Sequence, residues 1–397
     1  MGIALTILLA LTSPLLCILL LDSLLRAWLM LARWGSAPAP EPSPTGAAEA
    51  IAVVIPAHDE AFVIGDTVAR LRMQMPAGSL FVIADNCTDD TASVAHQAGA
   101  QVWERDEPGE RGKGAALRWF LNAASQKLED FDAVAIFDAD SVVDEGFLRH
   151  ARAALAQGAH VAQGFVEPLS SGSPTADLAA YSEILSQRID DMARARLGWP
   201  IQLRGTGMVF RRQILQALLP HLQTKAEDVE MSLLLAAQGK QVQFIPDAVV
   251  GDPKPTGAHG IAAQRARWQQ GQREVLQRHI RLVLRLLFSG QPGRISMVLA
   301  TLLKPKTLVF LLKGLWLVLS LLLSLAPPGL HWGVAALAGL ALSADLAYYI
   351  SGLSLVEKPG RCARALVQAP LYPAMWLWSL FLSVVSTNPW LSARRGR

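Results

Sequence analysis

Acidic side chains standing at the ends of apolar runs are the first residues in this sequence whose type and spacing suit chemistry. Ala133-Val134-Ala135-Ile136-Phe137 has no polar break, and Asp138-Ala139-Asp140 follows it directly. Such a run reads as a strand buried on both faces of a sheet. Open α/β sheets collect ligands beyond the carboxyl ends of their strands, and two Asp residues in alternate positions there can grip a hard divalent cation through oxygen. The other reading is a turn with two solvated acids. Ser141 to Glu145 then carry the chain out of the sheet.

More polar groups arrive in the same way. Ile51 to Ile55 runs into Pro56-Ala57-His58-Asp59-Glu60, and Leu80 to Ala84 runs into Asp85-Asn86-Cys87-Thr88-Asp89-Asp90. Glu60, Asp85 and the Asp138, Asp140 pair are therefore expected on one rim. Arg111-Gly112-Lys113-Gly114 enters a helix and sets an ammonium in a glycine-softened turn. Arg204-Gly205-Thr206-Gly207 is a second soft loop, leading into a strand to Phe210, where a substrate can approach the backbone closely. Glu227-Asp228 opens a helix over Val229 to Gln238. Carboxylates there suit the helix dipole, and Asp228 is also a candidate general base. Gln264, Arg267 and Trp268 fall within about one helical turn, so an amide, a guanidinium and an indole can face one site. Packing in the core is the alternative for Trp268.

The elements that position these groups alternate. Strands at 51–55, 80–84, 101–103 and 133–137 are separated by helices near 62–73, ending near 98, and beginning at 112. That order predicts right-handed crossovers and a parallel sheet with helices on both faces. A helix near 145–156, a strand near 160–164 and a long helix over about 175–197 follow.

Of the 397 residues 52% are hydrophobic and 17% charged, which argues against a purely soluble protein. The excess lies before about residue 34 and after about residue 295. Ile3 to Leu21 is long enough, at roughly 1.5 Å per residue, to cross a bilayer core of about 30 Å. No basic residue precedes it while Arg26 and Arg33 follow, which favours an uncleaved anchor over a signal peptide and places its end in the cytoplasm. Ser36 to Thr45, with four prolines, reads as a linker. Arg278, Arg281 and Arg285 lie in a Leu- and Val-rich segment to Phe288 that suits an anionic membrane surface. Thr307 to Leu325 and Trp332 to Leu355 read as spans, with Lys358, Arg361 and Arg364 marking a cytoplasmic loop. Leu366 to Val385 either crosses or enters the interface and returns; Pro370, Pro373 and the arginines after it favour the return. The expected divisions are an anchor at 1–34, a linker at 35–50, a catalytic domain at 51–275, a basic amphipathic helix at 276–306 and a membrane or interfacial region at 307–397. A net charge of +3 is too small to argue for nucleic acid. Cys17, Cys87 and Cys362 have no C-x-x-C spacing, so neither a zinc site nor a disulfide framework is expected.

Val54-Ile55-Pro56-Ala57-His58-Asp59-Glu60, Asp85 after a strand, Lys113 between glycines, Asp138-x-Asp140, Glu227-Asp228 and Q-x-x-R-W at 264–268 stand in a familiar order. In that order the chain resembles the family 2 inverting glycosyltransferases of GT-A fold, in particular the membrane-embedded branch of cellulose, chitin, hyaluronan and poly-N-acetylglucosamine synthases. The resemblance runs from about Ile51 to Trp268. It implies an α/β, Rossmann-like and mostly parallel cytosolic domain flanked by transmembrane helices. It also implies that Asp85 and the Glu60 loop hold a nucleoside, and that Lys113 faces the donor diphosphate. Asp138 and Asp140 would bind that diphosphate through Mg²⁺ or Mn²⁺, and Asp228 would be the base. Gly205-Thr206-Gly207 would form the acceptor-side loop, with Glu227, Gln264, Arg267 and Trp268 holding the diphosphate and the acceptor sugar.

The implied activity is transfer from a nucleotide-diphospho sugar, a UDP-sugar favoured, to a lipid-linked or growing glycan. Its setting would be the cytoplasmic face of a bacterial-type inner membrane, beside polysaccharide assembly or export proteins. Three departures narrow this: Ala226 stands where many relatives have Thr, the phenylalanine-containing gating loop is not recognisable, and three or four spans leave little for a wide channel. One rival is a glycolipid synthase acting on a ceramide- or diacylglycerol-like lipid. Another is a non-catalytic membrane subunit of an export complex, against which the intact Asp138, Asp140 and Asp228 count.

Overall fold

The structure, a computed structural model, describes residues 2–34, 49–76, 78–169, 172–254, 258–304, 306–323, 330–369 and Trp378. Helix α1 (Gly2–Ala32) comes first. The first half of the sheet is built by β1 (Ile51–Ala57), α2 (Ala61–Arg72), β2 (Leu80–Asp85), α3 (Thr91–Gln97), β3 (Gln101–Arg105), α4 (Lys113–Ala123), the short α5 (Ser125–Leu128) and β4 (Ala133–Ile136). β1 pairs parallel with β2 and with β4, and β2 pairs parallel with β3. β1, β2 and β4 are apolar runs that end at or just before their first carboxylates. The carboxylates therefore share one edge of the sheet, as expected.

The second half departs from a parallel sheet. β5 (Val142–Val143), α6 (Phe147–Ala156), β6 (Val161–Leu169), α7 (Pro174–Leu185), a π-helical turn at Ser186–Asp191, α8 (Met192–Arg196), β7 (Met208–Arg211), α9 (Arg212–Leu218), α10 (Glu227–Ala237) and β8 (Gln243–Pro253) complete an eight-stranded sheet of order β3-β2-β1-β4-β7-β6-β8-β5. β7 runs antiparallel to both β4 and β6, because the chain enters it from the rim that β4 leaves: Met208 lies opposite Ile136. β5 is antiparallel to β8, and β6 is parallel to β8. The sheet is thus mixed. Two strands were not foreseen: β5 has only two residues, and Pro246 and Pro253 interrupt the pattern of β8, whose register against β6 jumps at Gly164/Phe165. The helix expected over 175–197 is broken by the π turn, which buries both Asp190 and Asp191.

Alternation along the strands divides the core in two. Val53, Ile55, Val82 and Ala135 pack with Ile64, Val68 and Leu148 on one face. Ala52, Val54, Phe81 and Val134 pack with Leu117, Phe120 and Leu215 on the other. Burying side chains of this size stabilises by about 1.5–3 kcal/mol each, enough to fix the rim against the helices.

After the sheet come α11 (Ala258–Leu287), α12 (Pro292–Leu302), α13 (Lys306–Leu323), α14 (Leu330–Gly352) and α15 (Pro359–Gln368). The expected boundary at 275/276 falls inside α11, which carries both the Gln264–Trp268 motif and the basic segment and kinks at His279 (φ −115°, ψ 22°). Residues 359–364 belong to α15 rather than to a loop, with Pro359 in its first turn. Pro14–Ala32 and Trp332–Leu355 are long and apolar enough to cross a membrane, and Leu308–Leu322 is a shorter apolar helix. α14 packs against both α1 and α13. Between them Lys313 Nζ lies 2.7 Å from Asp345 Oδ2 and 3.1 Å from Asp22 Oδ2, while Arg26 pairs with Asp22 at 3.0 Å. The linker at 36–45 and most of 366–385 lie outside the described residues.

Candidate active site

The centre of the rim is Lys113, at the first turn of α4. Its Nζ lies 2.5 Å from Asp138 Oδ1, donates to the Gly205 carbonyl at 2.6 Å, and stands 4.0 Å from Glu227 Oε1. One ammonium therefore links the end of β4, the loop before β7 and the start of α10. Burial opposes its charge, but Asp138 and Glu227 raise its pKa above the ordinary value. A Cβ added at Gly205 (φ +79°) would lie 3.8 Å from Asp228 Oδ2 and 4.0 Å from Asp138 Oδ2. Acids 90 residues apart thus face one point, across a backbone whose left-handed turn and bare Cα leave that point open.

Thr206 and Gly207 do not line the cavity that Gly205 lines. Thr206 is buried and bonds Ser141 Oγ at 2.7 Å, while its Oγ1 accepts from the Asp138 amide at 3.2 Å. A Cβ on Gly207 (φ +64°) would stand 2.7 Å from Val250 Cγ1. Buried Gln163 ties the loop to β6, donating to the Thr206 carbonyl at 2.9 Å and accepting from the Arg204 amide at 3.0 Å. These side chains position the loop; Gly205 is the member that meets the open space.

Asp228 and Glu227 sit in the first turn of α10. Burial raises the pKa of both, Glu227 to about 7, with Lys113 opposing the rise in Glu227 and the Val229 amide, 2.8 Å from Asp228 Oδ1, opposing it in Asp228. The approach to the helix is held by Glu230, which is wholly buried. Its carboxylate accepts from the Gln223 amide (3.0 Å), the Thr224 amide (2.9 Å), Thr224 Oγ1 (2.8 Å) and His279 Nε2 (2.5 Å). α11 comes so close that a Cβ on Gly271 would lie 2.9 Å from Ala226 Cβ. The methyl of Ala226 is what fits beneath that helix.

At the other end of the rim, Asp85 Oδ1 accepts from Arg105 Nη1 at 2.6 Å and from Asn86 Nδ2 at 2.7 Å. Arg105 is buried and stands directly opposite Asp85 in the β2–β3 register. His58 Nδ1 lies 2.7 Å from the Asp85 carbonyl, and the Glu60 amide donates to Thr91 Oγ1 at 2.8 Å. Asp59 and Asn86 both hold φ of 52°, an uncommon conformation outside glycine. Asp59, Cys87 and Asp89 come within metal-ligand distance of one another, alone among the described residues in doing so. Yet Asp59 already accepts from the Thr88 amide, Asp89 from the Ala61 amide, and burial pushes the Cys87 thiol up, so this cluster holds loops together.

The cavity that joins these parts has a volume of about 1380 Å³. Glu60, Asp85, Lys113, Asp138 and Asp140 line it from the sheet. Gly205, Glu227 and Asp228 line its centre, and Gln264, Arg267 and Trp268 line it from α11. Lys254 Nζ lies 5.7 Å from the Trp268 ring centroid and pairs with Glu183 and Asp252, both at 2.7 Å. Asp138 and Asp140 offer oxygen ligands of the kind a hard cation takes, with Asp138 Oδ1 held by Lys113 and Oδ2 turned toward Gly205; two carboxylates would leave most of the coordination sphere to phosphate or water. Arg105, Gln163, Glu230, His279 and Lys254 were missed in the sequence because each works through a partner distant in the chain; the strand read at 101–103 stopped short of Arg105, which the structure places opposite Asp85.

A family model described as "Glycosyltransferase like family 2" matches residues 48–271. An uncharacterized glycosyltransferase of Mycobacterium tuberculosis is 34% identical over 125 residues, covering 31% of this chain and 52% of that protein. The chain thus spans about half the length of the curated relatives it matches first. Protein RfbJ of Shigella flexneri is 32% identical over 94 residues, 24% of this chain and 67% of that protein. Among solved structures, the mannosyltransferase PcManGT from Pyrobaculum calidifontis, in complex with GDP-Man and Mn²⁺, superposes with a TM-score of 0.54 at 22% identity, covering 89% of this chain and 95% of that one. That likeness speaks for the fold.

Proposed function

The chain belongs to the family 2 glycosyltransferases, and on that premise we propose that it moves a sugar from a nucleotide-diphospho sugar to a hydroxyl acceptor by a single, inverting displacement. The observation that carries this reading is the meeting of Asp138 and Asp228 at Gly205, with Lys113 between the two chain segments. Asp228 takes the proton of the attacking hydroxyl; its oxygen bonds to the anomeric carbon as the bond to the leaving diphosphate breaks. One base opposite one leaving group inverts the centre, so an α donor gives a β product. Lys113 and Arg267 meet the charge on the departing diphosphate. Asp138 and Asp140 would hold Mg²⁺ or Mn²⁺, which supplies further charge neutralisation when bound. Asp85 and the Glu60 loop take the nucleoside, while Glu227, Gln264 and the indole of Trp268 face the sugars, the indole stacking on a pyranose face.

The same reading sets α1, α13 and α14 across a membrane, with residues 51–275 on the cytoplasmic side as in the synthase branch. The relative solved with GDP-Man makes a GDP-sugar a donor to test beside UDP-sugars. The acceptor is membrane-borne, a lipid-linked glycan or a glycolipid precursor, because the cavity wall continues onto Phe310 and Leu311 of α13 and Tyr349 of α14. Purified protein in detergent, given UDP- and GDP-sugars in turn, should release nucleoside diphosphate from one of them only with Mg²⁺ or Mn²⁺. NMR of the product should show inversion. Retention, or release indifferent to metal, would overturn the proposal.

A further inference from the structure

Another part of the cavity wall is built from cations. Arg194, Arg204, Lys304 and Lys306 all line it. Asp191 takes both Arg194, at 3.5 Å, and Arg204; Asp190 takes Lys306 at 3.3 Å. The π turn is what presents these two adjacent acids inward together, and such turns gather at functional sites. Lys304 pairs with no carboxylate among the described residues, its closest polar contact being Gln202 Oε1 at 3.4 Å. Three cations thus share two carboxylates, and Lys304 beside them adds a fourth charge that is paired with neither. The crowding of protein around the Lys304 ammonium, then Arg204 and Lys306, hold its pKa down to about 8, with Asp228 and Asp191 pulling the other way. Lys304 is nonetheless exposed and lines the cavity, and Arg204 Nε is a buried donor with no acceptor among the described residues. Positive charge that repels itself, offers unused donors and opens on a cavity is relieved by an anion. Phe310, Leu311 and Leu366 line the same space and suit a hydrocarbon chain.

We propose that Lys304 and Arg204 form a phosphate-binding subsite for the acceptor, a lipid whose phosphate lies between an apolar chain along Phe310, Leu311 and Leu366 and the hydroxyl presented to Asp228. The subsite is separate from the donor diphosphate, which faces Lys113 and Arg267. The part of the inference that concerns the hydroxyl rests on the transferase reading; the binding of a lipid phosphate does not.

The test is binding to the full chain in detergent micelles, with farnesyl phosphate, farnesol and inorganic phosphate as probes. Farnesyl phosphate should bind more tightly than either of the others. Lys304→Gln should weaken it about tenfold or more, Lys304→Arg should restore most of the loss, and farnesol should not distinguish the variants. Retained binding of nucleoside diphosphate with Mn²⁺ shows that Lys304→Gln is folded. The proposal is overturned if Lys304→Gln binds farnesyl phosphate as the parent does, or if inorganic phosphate binds as tightly, which would make a free anion the ligand. Loss of nucleotide binding in the parent, with Lys304-dependent lipid phosphate binding intact, would sink the transferase reading and leave the subsite standing.

Discussion

Replacing Glu230 by Gln tests how the base is held in place without touching any group that faces the cavity. The parent carboxylate satisfies two backbone amides, a threonine hydroxyl and His279, all in a fully buried setting. Gln has nearly the same volume but one acceptor oxygen, and its NH₂ turns donors toward donors. At least one of the four partners is then left unpaired, and a second faces a like group. Each orphaned buried donor costs about 1–3 kcal/mol, so the loss should be about 2–6 kcal/mol. That is a large share of a domain stability of about 5–15 kcal/mol. For a domain of this size the midpoint of thermal unfolding should fall by at least about 4 °C. Because the freed segment leads directly into Ala226, Glu227 and Asp228, turnover should fall more than donor affinity does. The assay is thermal unfolding in detergent, followed by kcat and KM for the donor. Unfolding within about 1 °C of the parent together with normal turnover would refute the reasoning.

Glu227, pushed up to about 7, keeps a proton in the folded state at pH values where the unfolded group, near 4.5, has lost it. Stability should therefore fall as pH rises through that window, and denaturation midpoints at about pH 5 and about pH 8 should show a slope that Glu227→Gln lacks. The raised pKa of Asp228 should likewise move the acid limb of the rate profile above the ordinary Asp range, since the base acts only when ionised; a rate flat down to about pH 4 would contradict it. Gly271→Ala should drive α11 off Ala226, costing about 1–3 kcal/mol and lowering turnover with little change in nucleotide binding measured by calorimetry. Lys313→Met leaves Asp22 and Asp345 facing Arg26 alone among apolar helices, and should destabilise by about 3–5 kcal/mol in thermal unfolding.

The half of the fold that was legible in the sequence is the half where apolar runs end in acids. β1, β2 and β4 begin at Ile51, Leu80 and Ala133 as read, because an unbroken buried run followed by Asp or Pro-x-x-Asp admits few other structures. Lys113 at a helix start and Glu227-Asp228 in a first turn were legible for the same local reason. What escaped depends on distance along the chain. The direction of β7 is set by where its loop returns to the rim, and β8 hides behind Pro246. Thr206 looked like a contact residue and is instead a buried strut, since a hydroxyl in a glycine loop reads alike in either role. The ion cluster around Lys313 was invisible too, being single charges scattered through three apolar segments that meet only after folding.

The central claim is that Asp228 supplies a base to a cavity whose donor-binding face is built separately. Asp228→Asn preserves shape and removes the proton acceptor. Calorimetry with nucleoside diphosphate and Mn²⁺, set beside initial rates on the same preparation, should give parent-like binding and a turnover lower by about 10²–10⁴-fold. Parent-like turnover in Asp228→Asn would contradict the account.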